Sequence, residues 1–459
     1  MSSLRTGEQT TEEATEAVAR LCHSRSLEFE AYAYNREVSK ARLDSSRKRV
    51  ASFKCVKGLF VRLAIEGRIG VGYASDLSGP AMRGCIESAK RLARYREVDA
   101  GWNGFPSARR SYPVLRGVRD RALVDADIGE LADMADAMAK AAVSEGPSVA
   151  LSWADVEREI ATVSVANSSG ICVSHESAKI RAICSAVNGS GDAISPECID
   201  GQAALTLDLD LTGIGSSVGG LAVKSERRVK PKTQECQVVF ASGALGFPDS
   251  GLLSVILREA LSGGNFMRGS TFLSGKVGER IASRCVTISD NPTAARSCGS
   301  TPFDDEGMPT RRQMLVDDGV LKGFVWDHRY ASAAGRRSSG SAVRDLVSGS
   351  VFPRPLNLEF RAGRGDLDSL ISEVEDGYLI WGCQGGHTSD AETGDFSFVS
   401  SPCFRILRGG VVGGVRGAMV SGNIVDLLGS VVAVGADVKD FGNALVPSML
   451  MEDVRMTSG

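Results

Sequence analysis

The sequence predicts an α+β fold, with a mixed helix and strand N-terminal domain followed by a β-rich C-terminal domain. Three observations carry this reading. Near the N-terminus, stretches of helical apolar spacing stand among segments that alternate with period two. Beyond about residue 237 the chain turns Gly-rich, with short apolar runs set apart by Gly, Asp and Asn. Between the two lies RRVKPKTQECQ (227–237), polar and broken by Pro231, where a domain boundary is expected. The predicted domains are therefore residues 1–230 and 231–459.

Taken in order, Thr10–Arg25 sets Ala14, Ala17, Val18, Leu21 and Cys22 at helical spacing behind a Thr-Thr-Glu-Glu opening. Leu27–Tyr34, Arg49–Val56, Gly58–Glu66 and Arg68–Ala74 then read as an antiparallel meander with a turn at Glu66-Gly67. A second helix starts in Asp76-Leu-Ser-Gly-Pro and runs to about Tyr95, and 96–124 is an irregular connection. Asp125–Ser144 gathers Ile128, Leu131, Met134, Met138 and Ala141 on one helix face. Ile160–Ala166 and Ile171–Ser174 flank an Asn-Ser-Ser-Gly turn, and Lys179–Val187 and Ala203–Leu211 extend that sheet. In the C-terminal domain, Val238–Phe240, Val286–Ile288, Leu321–Trp326, Tyr378–Gly382, Phe396–Val399, Arg405–Leu407 and Val431–Val434 are the expected strands.

Composition narrows the function classes. The 459 residues are 43% hydrophobic and 24% charged, the balance of a globular protein. The formal net charge is -3 and the longest basic run is Arg47-Lys48-Arg49, so nucleic acid is not an expected ligand. The N-terminus is polar and acidic, unlike a secretory signal, and no run of about 18 apolar residues is present. A cytoplasmic protein without membrane partners is expected. The 11 Cys form no C-x-x-C pair, which fits reduced thiols rather than a disulfide framework.

Few residues offer local chemistry. The four histidines, His23, His175, His328 and His387, lie too far apart to form a ligand pair on one helix. Serines and cysteines are numerous, but surface Ser and buried Cys are expected here rather than an activated nucleophile. Ser-Ser-Val-Gly-Gly at 216–220 reads as a loop, and Gly409-Gly410 and Gly413-Gly414 as turns between strands. Asp304-Asp305-Glu306 is the densest acidic cluster, suited to a divalent cation or to acid-base work, against the plainer reading of a solvated turn or of carboxylates capping backbone N–H groups. His387, in WGCQGGHTSD, could reach a cleft from a Gly-rich turn.

A linear series of motifs says more. LSGGNFMRGSTFLSGKVGERIASRCVTISDNP from Leu261, STPFDDEGMPTRRQMLVDDGVLKGFVWD, SSGSAVR, TGDFSFVS and VSGNIVDLLGSVVAVGADV follow one another. This order resembles the TldD/PmbA family, whose PmbA branch is also called TldE. The N-terminal half agrees through Gly58-Leu59-Phe60-Val61-Arg62, Gly70-Val71-Gly72, Ala74-Ser75-Asp76-Leu77 and Ala166-Asn167-Ser168-Ser169-Gly170. The TldD branch carries H-E-x-x-x-H just before the first motif and a Cys near the C-terminus. Here the aligned residues are Arg258-Glu259-Ala260-Leu261-Ser262-Gly263, and no Cys follows Val434.

The resemblance therefore implies a TldE/PmbA-like non-catalytic subunit, with zinc expected only in a TldD-like partner and no cofactor in this chain. The implied partners are that metallopeptidase subunit, in a heterodimer, and an unstructured or modified peptide substrate. The alternative is a stand-alone peptide-binding or homodimeric protein without proteolytic activity. An enzyme using the acidic cluster with a loosely held metal ranks behind both. At the degenerate motif, Arg258 is a candidate to pair with Glu259 and stand in for the metal's charge. Asp304, Asp305, Glu306 and His387 are candidates for a cleft or interface.

Overall fold

The computed structural model describes residues 9–107, 111–191 and 194–458. Helix α1 (Thr11–His23) opens on a capping box in which Thr10 and Glu13 satisfy each other's backbone N–H groups. Strands β1 (Glu28–Asp44), β2 (Arg49–Ile65) and β3 (Arg68–Ala74) form the predicted meander, but the strands are longer than alternation alone indicated. β2 is one continuous strand through Lys57, because its pairing with β1 runs unbroken from Ala64 to Arg49. At the β2–β3 turn both Glu66 and Gly67 have positive φ, 51° and 74°, as a two-residue type I′ hairpin requires.

Helix α2 (Gly79–Ala93) packs on these strands; α3 (Arg121–Asp125) is one short turn within the irregular connection. Helix α4 (Ile128–Ser144) starts on a second capping box, Asp127 with Glu130. β4 (Val149–Asn167), β5 (Cys172–Asn188) and β6 (Cys198–Ala204) complete a six-stranded antiparallel sheet of order β3-β2-β1-β4-β5-β6.

Helix α5 (Leu211–Lys224) overturns two expectations. The predicted strand ends at Ala204 rather than Leu211, and 216–220 is helix rather than loop. Its glycines reflect a close helix–helix contact. A Cβ on Gly215 would lie 2.2 Å from the Met138 carbonyl oxygen, and one on Gly219 2.2 Å from that of Ala142. Packing against α4 thus outweighs the poor helix propensity of glycine.

The β1 strand places its residues by parity. Phe29, Ala31 and Ala33 face a core with Ala14 and Val18 of α1 and Met82 and Ile86 of α2. Tyr32 and Tyr34 face the other way, onto Phe303 and Met308 of the C-terminal half. A further core joins Leu131 and Met138 of α4 to Val239, Leu379 and Phe404.

The C-terminal half begins with the two-residue β7 (Arg228–Val229) and β8 (Gln234–Phe240). β8 pairs in parallel with Asp376–Ile380 and antiparallel with Met449–Ser458, inside a ten-stranded sheet. A smaller sheet contains Ile288–Asp290, Gln313–Asp317 and Leu358–Phe360. Helices α6 (Ser242–Gly246), α7 (Leu252–Ala260) and α8 (Gly263–Arg268) follow β8. The predicted strand Leu321–Trp326 shrinks to Val320–Leu321, and Gly413 and Gly414 lie inside strand Gly410–Val415 rather than in a turn. The fold class is α+β throughout. All 11 thiols are free. No helix among the described residues is long and apolar enough to cross a membrane.

Candidate functional site

Two groups of residues meet the sequence candidates. The first is the degenerate motif on α7 and α8. Arg258 and Glu259 are adjacent on a helix, so their side chains diverge rather than face each other. Glu259 forms its ion pair with Arg354, and the Arg258 Nε donates to the Pro355 carbonyl oxygen at 3.4 Å. The expected Arg258–Glu259 pair is therefore replaced by a Glu259–Arg354 pair. Burial, and then the like charge of Arg354, lower Arg258 to about 10. Below that value it remains a cation, with the buried Asp290 as an electrostatic partner. Burial raises Asp290 itself to about 6, even though it accepts N–H groups from Leu356 and Asn357 at 2.9 Å.

Gly263 is closed off. A Cβ there would lie 2.5 Å from Cε3 of Trp326 and 2.7 Å from the Val325 carbonyl oxygen. Trp326 is only 4% exposed and belongs to the main C-terminal core, so it has little room to yield. The position aligned with the second motif histidine has no space for an imidazole. Among the described residues, no group of three His, Cys, Asp or Glu side chains could hold a metal ion. The residues that stand at the motif thus do not fit a zinc ion.

The second group is the acidic cluster, and it is not solvated. Asp304 and Glu306 are 2% and 3% exposed. Asp304 does cap backbone N–H groups, accepting from Glu306 and Met308 on one oxygen and from Ala342 on the other, at 2.9–3.0 Å. Asp305 accepts from the Arg344 N–H at 2.7 Å, and Glu306 from the His328 N–H at 3.0 Å.

The loop closes on charges carried by β1 and β2. Arg62 donates to both oxygens of Glu30, at 2.8 and 2.6 Å, and to Glu306 at 2.9 Å. Arg344 also binds Glu30 and donates to the Gly349 carbonyl at 3.1 Å. The two guanidinium groups lie over the rings of Phe105 and Tyr32, at 5.4 and 4.6 Å. A single buried network therefore joins residues from both halves of the chain.

Its electrostatics follow from a count of charges. Glu30, Asp304, Asp305, Glu306 and Asp327 face chiefly Arg62 and Arg344, with Arg329 acting on Asp327, and so cannot all be ionised cheaply. Burial would raise Glu30, but Arg62 and Arg344 outweigh it and hold the carboxyl below the ordinary range. Burial, and then the Glu306 charge, push Asp304 well up and Asp327 to about 7. Burial also raises Asp305, against the Arg344 N–H and charge.

Asp327 is a direct test of this imbalance, because its Oδ1 also caps helix His328–Ala333 through the Tyr330 N–H at 2.7 Å. Asn caps equally well and carries no charge. With a folded value near 7 against about 3.9 unfolded, the stability Asp327 contributes is full below pH about 4 and is lost as pH rises through 7. Between pH 5 and 8, Asp327→Asn should lose less stability than the wild type, by on the order of 2 kcal/mol. Denaturant titrations at both pH values check this; parallel slopes would contradict the assignment.

His387 lies in the short turn Gly386–Thr388, and its side chain falls outside the described residues. Sequence reasoning missed Glu30, Arg62, Arg344 and Asp327. A signal existed for Arg62, a lone cation inside the apolar run Leu59–Ile65, and for Arg344, which ends the SSGSAVR motif.

Comparison with known proteins places this architecture. Residues 233–458 match the PmbA/TldA metallopeptidase C-terminal domain. The crystal structure of TldE from Thermococcus kodakarensis superposes with a TM-score of 0.89 at 27% identity, covering 96% of this chain and 100% of that one. The metalloprotease TldD homolog of Haemophilus influenzae is 25% identical over 394 residues, 82% of this chain and 79% of that protein. The metalloprotease PmbA homolog of the same organism is 25% identical over 406 residues, 84% and 83% of the two chains. The C-terminal domain match, the shared fold over nearly the full length and the ordered motifs agree, and the chain belongs to the TldD/PmbA family.

Proposed function

We propose that this chain is a TldE/PmbA-like subunit without a metal centre of its own, which joins a TldD-like metallopeptidase subunit to act on unstructured or modified peptides. The observation that supports this most is the closed Gly263 position, where Trp326 fills the space an aligned histidine would need. Arg258 at the first ligand position puts a cation without a lone pair where a metal ligand would have to donate one. Glu259, held by Arg354, is not free to serve as a base. The chain's contribution to catalysis is then to shape a cleft that the partner's metal serves.

The test is reconstitution. The isolated chain should carry far less than one equivalent of tightly bound zinc and should leave an unfolded peptide uncut. Mixed with a TldD-like subunit, it should form a stoichiometric complex whose chelator-sensitive cleavage exceeds that of either subunit. Glu259→Gln in this chain should leave most of that activity. Chelator-sensitive cleavage by the pure chain would overturn the reading, and a homodimer indifferent to the TldD-like subunit would favour a stand-alone binding protein.

A further inference from the structure

A cleft of about 400 Å3 lies beside Trp326, and five cations line it: Arg311, Arg312, Lys322, Arg336 and Arg337. Among the described residues no acidic side chain lines it, in a chain whose formal net charge is -3. Three separate segments bring the charges together. Arg311 and Arg312 lead into strand Gln313–Asp317, and Lys322 follows the strand that pairs back onto it. Arg336 and Arg337 follow helix His328–Ala333 after a left-handed turn at Gly335, with φ 64°.

The arrangement is fixed rather than incidental. Arg311 donates to the Ser338 carbonyl at 2.9 Å, tying the first segment to the third. The Arg336 N–H donates to Ala331 at 2.8 Å, and its guanidinium lies 5.4 Å from the Trp326 ring centroid. Glu359 pairs with Arg312 at 3.0 Å, and Asp317 approaches Lys322 only to 3.8 Å. Among the described residues, neither Arg336 nor Arg337 has an ion-pair partner. Cations crowded in this way repel one another, and an anion between them relieves the repulsion.

We propose that this cleft binds a carboxylate of a peptide, as a recognition subsite next to the degenerate motif. The inference rests on the peptidase-subunit reading for its choice of ligand. Guanidinium groups match carboxylates with two parallel hydrogen bonds, which suits an Arg-rich wall. A nucleic acid fits less well, because stacking needs an open aromatic face and Trp326 and Phe324 are 4% and 2% exposed. Trp326 is shared: it packs on Gly263 from one side and lies under Arg336. A peptide held by its carboxylate would therefore run past the position where the family motif is interrupted.

Fluorescence anisotropy of labelled, unstructured peptides with the isolated chain tests the site without any partner or activity. A peptide with a Glu side chain and a free C-terminus should bind more tightly than its amidated Gln counterpart, and the advantage should fade with added salt. Arg336→Gln with Arg337→Gln, both exposed, should weaken it about tenfold while leaving the melting temperature unchanged. If C-terminal amidation of the peptide abolishes the gain, the ligand is the chain terminus; if only Glu→Gln does, it is the side chain. Equal binding of Glu, Gln and amidated peptides overturns the proposal, as does unchanged binding by the double variant or stronger binding of an oligonucleotide at the same residues. Carboxylate binding that persists while reconstitution with a TldD-like subunit yields no peptidase would sink the subunit reading and leave the subsite standing.

Discussion

Glu30→Gln should lower the unfolding free energy by about 3–5 kcal/mol, the cost of removing one partner from a buried ion pair. Glu30 is fully buried and is the acceptor for both Arg62 and Arg344. Neutralising it leaves two guanidinium groups in the interior, with Glu306 as the remaining carboxyl partner of Arg62. The Glu30 carboxyl is depressed in the folded protein, so its contribution is present above about pH 4.3, the unfolded value, and is lost as pH falls toward the folded one. Denaturant titration at neutral pH measures the loss. A double cycle with Arg344→Met should show a coupling of about 1 kcal/mol or more. A midpoint within error of wild type would mean that the network does not hold the two halves together.

The second large effect concerns restoring the family motif. Gly263→His should destabilise the fold by about 3 kcal/mol, the upper range for forcing extra atoms into a packed core. The imidazole has to displace Trp326, whose ring already lies 2.5 Å from where the Cβ would be built. Combined with Arg258→His, it should still fail to give stoichiometric zinc, because two imidazoles without a third ligand and an open position do not make a catalytic zinc site. Melting curves and metal analysis of the double variant decide the matter. A stable protein holding one zinc per chain would show that Trp326 yields easily and that the loss of the centre is shallow.

Some of this was legible in the sequence, for reasons that can be traced to residues. α1 and α4 announce themselves through Thr10 with Glu13 and Asp127 with Glu130, since a capping box is local and survives any tertiary setting. The Glu66-Gly67 turn is equally local. The α5 glycines mislead a local reading because they answer to α4, 77 residues earlier (Gly215 to Met138, Gly219 to Ala142), and not to their neighbours. The full lengths of β1, β2, β4 and β5 were hidden for a similar reason. Both faces of β1 are covered over Phe29–Tyr34, so alternation fades where burial is greatest.

At the site, the motif series located Arg258, Glu259 and Gly263, but side-chain direction decided the pairing. The charge network shows the limit most clearly. Asp304-Asp305-Glu306 looks like surface by composition, and only the fold brings Arg62 and Arg344 to it from 244 and 39 residues away. Expected burial follows from partners, and partners at that separation leave no trace in a local window.

The position of Met449–Ser458 beside β8 bears on how the chain is made. β8 takes its two neighbours from Asp376–Ile380 and Met449–Ser458, and the contact from Cys236 to Val454 spans 218 residues. Both neighbours leave the ribosome long after β8 does. At about 5–20 residues per second, β8 stays bare on both edges for roughly seven to thirty seconds and on one edge for roughly ten to forty, a strand of Val238, Val239 and Phe240 waiting for its partners. Such an edge invites pairing with other nascent chains. The ten-stranded sheet therefore places its most vulnerable moment in synthesis rather than in the finished molecule, and yield in the cell should depend on how well that waiting strand is shielded.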